Sequence, residues 1–116
     1  MLNSVFLMGR LTRDPETRVL GEGKSVTNFA LAVPSYDGQS VTFIDCVAFG
    51  KTAEFVEKFF KKGQKVVVQG RLDVGSYSHK DDHGVESKRY YARVVVNAVD
   101  FAEAKTNVTQ EQTTEP

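Results

Sequence analysis

Residues 42–62 read TFIDCVAFGKTAEFVEKFFKK, and the change of period inside this stretch sets the architecture of the chain. Side chains alternate across a β-strand, so Phe43, Asp45, Val47 and Phe49 share one face and Ile44, Cys46 and Ala48 the other. The second set is small and apolar, as a core-facing side requires. From Thr52 the period lengthens: Phe55/Phe59 and Val56/Phe60 are i,i+4 apolar pairs, which predicts a helix over residues 52–62. Thr52 then serves as N-cap, Lys61 and Lys62 sit at the end favoured by the helix dipole, and Gly63 follows as the C′ residue. The first strand face is the puzzle, with two phenylalanines, one beside an aspartate and one ahead of a Gly-Lys pair. Either both faces of the strand are buried, or one is an aromatic platform kept for a partner.

Strand patterns flank this unit on both sides. Residues 3–13, NSVFLMGRLTR, form a strand in which Gly9 marks a bend, useful where one strand serves two sides of a small barrel. Asp14-Pro15 breaks the pattern, and Gly21-Glu22-Gly23 is a hairpin turn. Residues 25–34, SVTNFALAVP, alternate until Pro34, and Tyr36-Asp37-Gly38 turns the chain into the 41–49 strand. Two more strands follow, 65–77 and 88–101, separated by the polar stretch SHKDDHGVES, which reads as a long, mobile hairpin loop. Three strands, one helix and two strands suit an all-β fold with one helix: a five-stranded OB-type Greek-key barrel with the helix between strands 3 and 4. Small helix-capped sheets of other topology meet the same pattern. Residues 1–101 make one domain, and residues 102–116, AEAKTNVTQEQTTEP, lack periodicity and read as a short disordered tail.

Composition narrows the function classes. A chain of 116 residues with 41% hydrophobic and 26% charged residues is an ordinary globular domain able to bury a core. The single cysteine, Cys46, excludes an internal disulfide and fits a reducing cytosol; on its strand it reads as a small buried hydrophobe, not a reactive thiol. No apolar run approaches the ~20 residues that cross a bilayer, so no membrane association is expected. The amino terminus has no basic leader and reads as a strand, which leaves the Asn107-Val108-Thr109 sequon without weight. Net charge is zero, but residues 1–101 hold fourteen Lys+Arg against twelve Asp+Glu, and residues 102–116 hold one against three. A nearly neutral body with a weakly acidic tail is not a polybasic domain, so any nucleic-acid reading rests on where the groups sit.

Catalytic chemistry finds little support. His79 and His83, with Asp81 and Asp82 between them, are metal-ligand types, but they fall in a glycine-containing loop and not on a helix. No nucleophile–base set, paired carboxylates or phosphate loop stands out; no metal, cofactor or enzymatic activity is expected. The aromatics say more. Phe29, Phe55, Phe59 and Phe60 occupy core positions, whereas Tyr36, Phe43, Phe49 and Tyr77 do not. Cations interleave with the second group: Arg10, Lys51, Arg71, Lys80, Lys88 and Arg89. Flat rings among cations suit an unpaired nucleic-acid strand, whose bases stack while its phosphates meet Lys and Arg. A second core or a subunit interface satisfies the same pattern.

Five blocks in colinear order carry a resemblance: NSVFLMGRLTRDPETR, SVTNFALAV, FIDCVAFGKTAE, FFKKGQKVVVQGRL and RYYARVVV. Over residues 1 to 101 the chain resembles the bacterial single-stranded DNA-binding protein family. That resemblance implies an OB barrel, a homotetramer (or a dimer) around which single-stranded DNA wraps, a cytoplasmic, nucleoid-associated location, and work in DNA replication, recombination or repair. It places the four base-stacking aromatics on Tyr36, Phe43, Phe49 and Tyr77, where relatives commonly carry three Trp. With no Trp here, weaker binding per subunit and no tryptophan quenching are expected. Arg18, Lys51 and Lys62 occupy matching basic positions, joining Arg10, Arg71, Lys88 and Arg89 as candidate phosphate contacts. Val5, Leu7 and Ile44 are candidate subunit contacts by analogy. Two departures matter. Asp73 and Gly75 stand where many relatives are basic, thinning the positive strip; and the chain ends QTTEP instead of an acidic tip with Ile-Pro-Phe, so tail-mediated protein partners are not expected. The reading is a non-enzymatic, sequence-independent single-stranded DNA binder. A protein-interaction module of the replication machinery and an RNA-binding OB protein are its alternatives.

Overall fold

The computed structural model describes residues 1–103. Its elements run β1 (Val5–Leu11), β2 (Glu16–Val19), β3 (Ser25–Pro34), β4 (Val41–Phe49), α1 (Gly50–Phe59), β5 (Lys65–Lys80) and β6 (Glu86–Phe101). β1 pairs antiparallel with β5 along most of its length and passes to β3 at its end, where Arg10 faces Ala32 and Leu11 faces Leu31. β3 pairs with β4, β4 runs parallel to β6, and β6 returns to β5. Five strands therefore close into a ring, β1-β5-β6-β4-β3, with α1 between β4 and β5. This is the OB barrel expected from the order of elements.

Two glycines permit the closure. A Cβ at Gly9 would lie 2.6 Å from the Ala32 carbonyl oxygen, where β1 changes partners. At Gly70 it would lie 2.2 Å from the Val95 carbonyl oxygen, beside the register shift between Gln69 and Gly70. Only a bare backbone allows such approaches. The core fills the barrel with Phe29, Leu31, Val56, Phe60, Val66 and Val68, among others, and the Phe29 and Phe60 rings meet edge to face at 5.9 Å.

Several local expectations are corrected. β2 is a sixth strand outside the ring, paired with β3 from Glu16↔Asn28 to Val19↔Ser25, and held by a 2.7 Å contact between the Thr17 and Thr27 hydroxyls. The helix begins at Gly50, not Thr52, and no side chain caps it. Gly50 has φ +62°, a conformation glycine adopts freely, so the strand turns into the helix without a loop. The helix stops at Phe59, because Phe60 leaves the helical conformation and puts a fully buried ring into the core. Lys61, Lys62 and Gly63 therefore lie in the following turn, and Lys58 is the basic residue of the last helical turn. Phe55, expected in the core, is 37% exposed and packs its ring against Phe59 at 4.8 Å.

The expected long loop between the last two strands is instead an arm. β5 and β6 stay paired out to Lys80↔Glu86, and the turn is only Asp81–Val85. Asp81 Oδ1 closes it by accepting from the backbone N–H groups of His83 and Val85, at 2.8 and 2.9 Å. At the other end, chain contacts continue past Phe101: the Ala102 N–H donates to the Lys65 carbonyl, and Arg10 pairs with Glu103 at 3.0 Å. From residue 104 the expected tail lies outside the described residues.

Candidate nucleic-acid interface

The two faces of β4 answer the question its sequence posed. Ile44, Cys46 and Ala48 turn toward the core, while Phe43 and Phe49 point outward, 70% and 44% exposed. Between those rings Val47 is buried with Val26 and Val95, an apolar floor on the outside of the barrel. Across the ladder Phe43 faces Ala32 and Asp45 faces Ala30. Such small neighbours leave the flank of the Phe43 ring uncovered.

The other two predicted rings are also open. Tyr36 stands in the Ser35–Ser40 turn, its side chain fully exposed. That turn is braced from within: the Ser35 hydroxyl donates to Asp37 Oδ1 at 2.6 Å, and the Gln39 N–H donates to the same oxygen at 2.9 Å. These bonds, the Ser35 hydroxyl first, hold the Asp37 carboxyl below its usual range. Tyr77, 55% exposed, lies on the arm opposite Arg89.

Beside Tyr77 the structure adds residues that sequence reasoning missed. Tyr91 faces Gly75 across the β5–β6 ladder, and a Cβ at Gly75 would come within 2.3 Å of the Tyr91 hydroxyl oxygen. The tyrosine lies across bare backbone. Arg93 lies over the same ring, its guanidinium carbon 5.5 Å from the centroid, and its Nε donates to Asp73 Oδ2 at 2.9 Å. Tyr77, Tyr91 and Arg93 line one cleft of about 540 Å³ together with Arg13, Asn28 and Asp45. Strand parity places Tyr91 beside Tyr77 once the hairpin register is known, and the register was hidden by the misread loop.

The predicted cations are scattered. Arg71 and Arg89 share the outer face of β5 and β6 with Tyr77 and Tyr91. Arg18 is exposed on β2 opposite Val26, and Lys51 is exposed in the first turn of α1. Lys88, opposite Ser78, lies on the other face of the arm. Lys62 is exposed beyond the helix, where its backbone N–H donates to Asp14. The Arg10 guanidinium is held by Glu103 and by the Gly63 carbonyl at 3.0 Å. Asp73, which thins the positive strip, is matched by Arg93.

Val5, Leu7 and Ile44 pack partly against the core and line a depression of about 270 Å³ with Phe43 and Leu72. The outward side of β1 is instead Phe6 and Met8, 73% and 50% exposed. Cys46 is buried, and desolvation first, with the neighbouring Asp45 charge second, pushes its thiol up to about 12, so it stays protonated. Among the described residues no group of three or more His, Cys, Asp or Glu side chains could hold a metal ion. No helix of the described residues is long and apolar enough to cross a membrane.

Comparison with known proteins agrees with this geometry. The model of the single-strand binding protein family matches residues 2–102. A single-stranded DNA-binding protein of Fusobacterium nucleatum is 41% identical over 113 residues, covering 91% of this chain and 70% of that protein. One from Clostridium perfringens is 40% identical over 105 residues, covering 89% and 67%, and one from Staphylococcus aureus is 38% identical over 117 residues, covering 96% and 72%. With an OB barrel, outward rings on β4 and on the arm, and a family match over nearly all the described residues, the chain belongs to the single-strand binding protein family.

Proposed function

We propose that this protein binds single-stranded DNA with little dependence on sequence and protects it during replication, recombination or repair. One observation carries the reading: Tyr36, Phe43, Phe49 and Tyr77 all expose their rings instead of filling the core. Each stacked base is worth about 1–3 kcal/mol, and every base has a π-face, so a few rings give affinity without high net charge. Tyr36, Phe43, Phe49 and Tyr77 stack bases in this proposal. Arg18, Lys51, Arg71 and Arg89 meet phosphates, with Lys62 and Lys88 further out; Arg10 joins them only by leaving Glu103. A bound strand could not reanneal or fold into hairpins. The reading involves no catalytic step.

The protein acts as a homo-oligomer, a tetramer by family analogy. The outward apolar pair Phe6 and Met8 on β1 supports self-association, with Val5, Leu7 and Ile44 close behind it at the barrel end. Replacing Phe43 and Phe49 together by Ala is expected to weaken binding of a dT oligomer, in a fluorescence-anisotropy titration, by about 1–3 kcal/mol per ring. The circular dichroism and thermal transition should stay those of the parent. Unchanged affinity would refute the stacking assignment. Sedimentation with and without the oligomer would report the assembly state and the stoichiometry together.

A further inference from the structure

The cleft at the root of the arm contains chemistry that stacking and phosphate neutralisation do not use. Asp45 projects from the outer face of β4, between Phe43 and Val47, and lines the cleft with Asn28, Arg13, Tyr77, Tyr91 and Arg93. A carboxylate in the path of a polyanion opposes binding unless it meets a donor on the ligand. Among the described residues the Asp45 side chain has no hydrogen bond and no ion pair. Arg93 is its register partner across the parallel β4–β6 ladder, but its guanidinium turns to Asp73. The carboxylate is left free, beside two exposed rings.

A carboxylate accepts best from two donors side by side. Of the four DNA bases only guanine presents that pair, N1–H and the N2 amino group, on its Watson–Crick edge. Thymine has one ring N–H between two carbonyl oxygens, and the amino groups of cytosine and adenine each adjoin a ring nitrogen that repels an anion. Unstacked bases of a single strand expose these edges, as bases in a duplex do not. Tyr91 rests on the bare backbone of Gly75 with Arg93 over its ring, and the more exposed Tyr77 ring offers a stacking surface in the same cleft as the carboxylate. Arg13 and Asn28 line the same cleft and offer N–H groups suited to the guanine O6. A cleft of about 540 Å³ is of the size that takes a single small ligand.

We propose that this cleft is a guanine-preferring base site within an otherwise sequence-tolerant binding surface, with Tyr77 as the stacking surface, the Arg93-covered Tyr91 as a packed wall of the same cleft and Asp45 as the reader of the N1–H/N2 edge. This rests on the single-stranded DNA reading above and deepens it. Asp45 makes guanine the base that relieves its own repulsion.

The test compares a dT oligomer of about 12 nucleotides, within the span an OB fold covers, with the same oligomer carrying one central dG, dI, dA or dC. Anisotropy titrations at one fixed salt concentration read the affinities. For the parent protein the dG oligomer is expected to bind about tenfold more tightly than the dT oligomer, the order of one bidentate base contact. The dI oligomer, which lacks the N2 amino group, should fall back toward dT. Asp45→Ala should bring the dG/dT ratio to about one while dT binding tightens, because a negative charge leaves the path; damage to the fold would weaken both. Tyr91→Ala should weaken the dG oligomer more than the dT oligomer. If dT binds and dG binds no more tightly, the guanine site is refuted and the single-stranded DNA reading stands. Equal binding of dI and dG, or a ratio that survives Asp45→Ala, also overturns it. If neither oligomer binds, both proposals fail.

Discussion

The root of one hairpin, within the barrel, contrasts with its arm. On the same side of β5, Val66 and Val68 are fully buried, whereas Val74 is 62% exposed, and Tyr90, opposite Ser76 on that side, is 74% exposed. The alternation of side chains does not change along the strand; the cover does. The core covers this side of β5 as far as Gly70, and from Leu72 outward the same side is exposed. Period decides which way a side chain points, and the surrounding topology decides whether anything meets it. Apolar and aromatic residues at the root hold the fold together, while those exposed on the arm do little for stability and are free to serve a ligand.

The contrast can be broken most forcefully at the root. Phe60→Ala removes a fully buried ring that meets Phe29 at 5.9 Å and Phe101 at 5.5 Å, and should cost about 3–5 kcal/mol in urea unfolding. Tyr90→Ala on the arm should stay within about 0.5 kcal/mol. If the two losses were comparable, the division would be wrong. A pair of glycines sharpens the point. Gly70→Ala drives a Cβ into the Val95 carbonyl, rigid backbone that cannot step aside, and should cost about 1–3 kcal/mol. Gly75→Ala meets first the far end of the Tyr91 side chain, which yields more readily than backbone, so the urea midpoint should move less. Its effect should appear in oligomer affinity instead.

Two smaller effects follow. With the cations scattered and Asp73 and Asp45 among them, salt titration of dT binding should give a shallow log–log slope of about −2 to −3, three or four phosphates at about 0.7 each. A much steeper slope would mean that more cations line the strand than the surface around the rings provides. Smallest is the latch at the root. The hydrogen bond from Arg10, first among its causes, holds the Glu103 carboxyl below its usual range. A depressed acid contributes stability above its unfolded pKa and loses it as pH falls through the lower folded value. Stability of the parent should therefore drop slightly more than that of Glu103→Gln on acidification below the ordinary carboxylate range. The group is exposed and solvent-screened, so parallel pH profiles would mean that the pair contributes nothing measurable.

Parity in β4 was legible from the sequence, because the apolar set at 44, 46 and 48 suits a core-facing side. So were Gly9 as the place where one strand serves two partners, and the order of elements that implies the barrel. What stayed hidden depended on partners far along the chain or on compensating geometry. The ETRV segment is short, polar and screened by Asp14-Pro15, and becomes a strand only because β3 offers a free edge. SHKDDHGVES looks like loop by composition, yet Ser78↔Lys88 and Lys80↔Glu86 keep half of it paired, with Asp81 closing a tight turn. Gly50 replaces a conventional cap with a positive φ. Of the cleft, Tyr77 was visible by pattern. Tyr91 was not, since its role needs the glycine directly opposite on the other strand, and Arg10 gave no sign that Glu103 would hold it.

The parallel seam between β4 and β6, where Cys46 pairs with Val94, also carries a kinetic consequence. Ribosomal synthesis delivers β4 and its helix well before the strand that seals them. Until Arg93–Val95 emerge, the 45–47 edge offers unpaired backbone donors and acceptors to any neighbouring chain. Closure over so long a separation is entropically slow, and nascent chains halted before β6 should be the ones that aggregate.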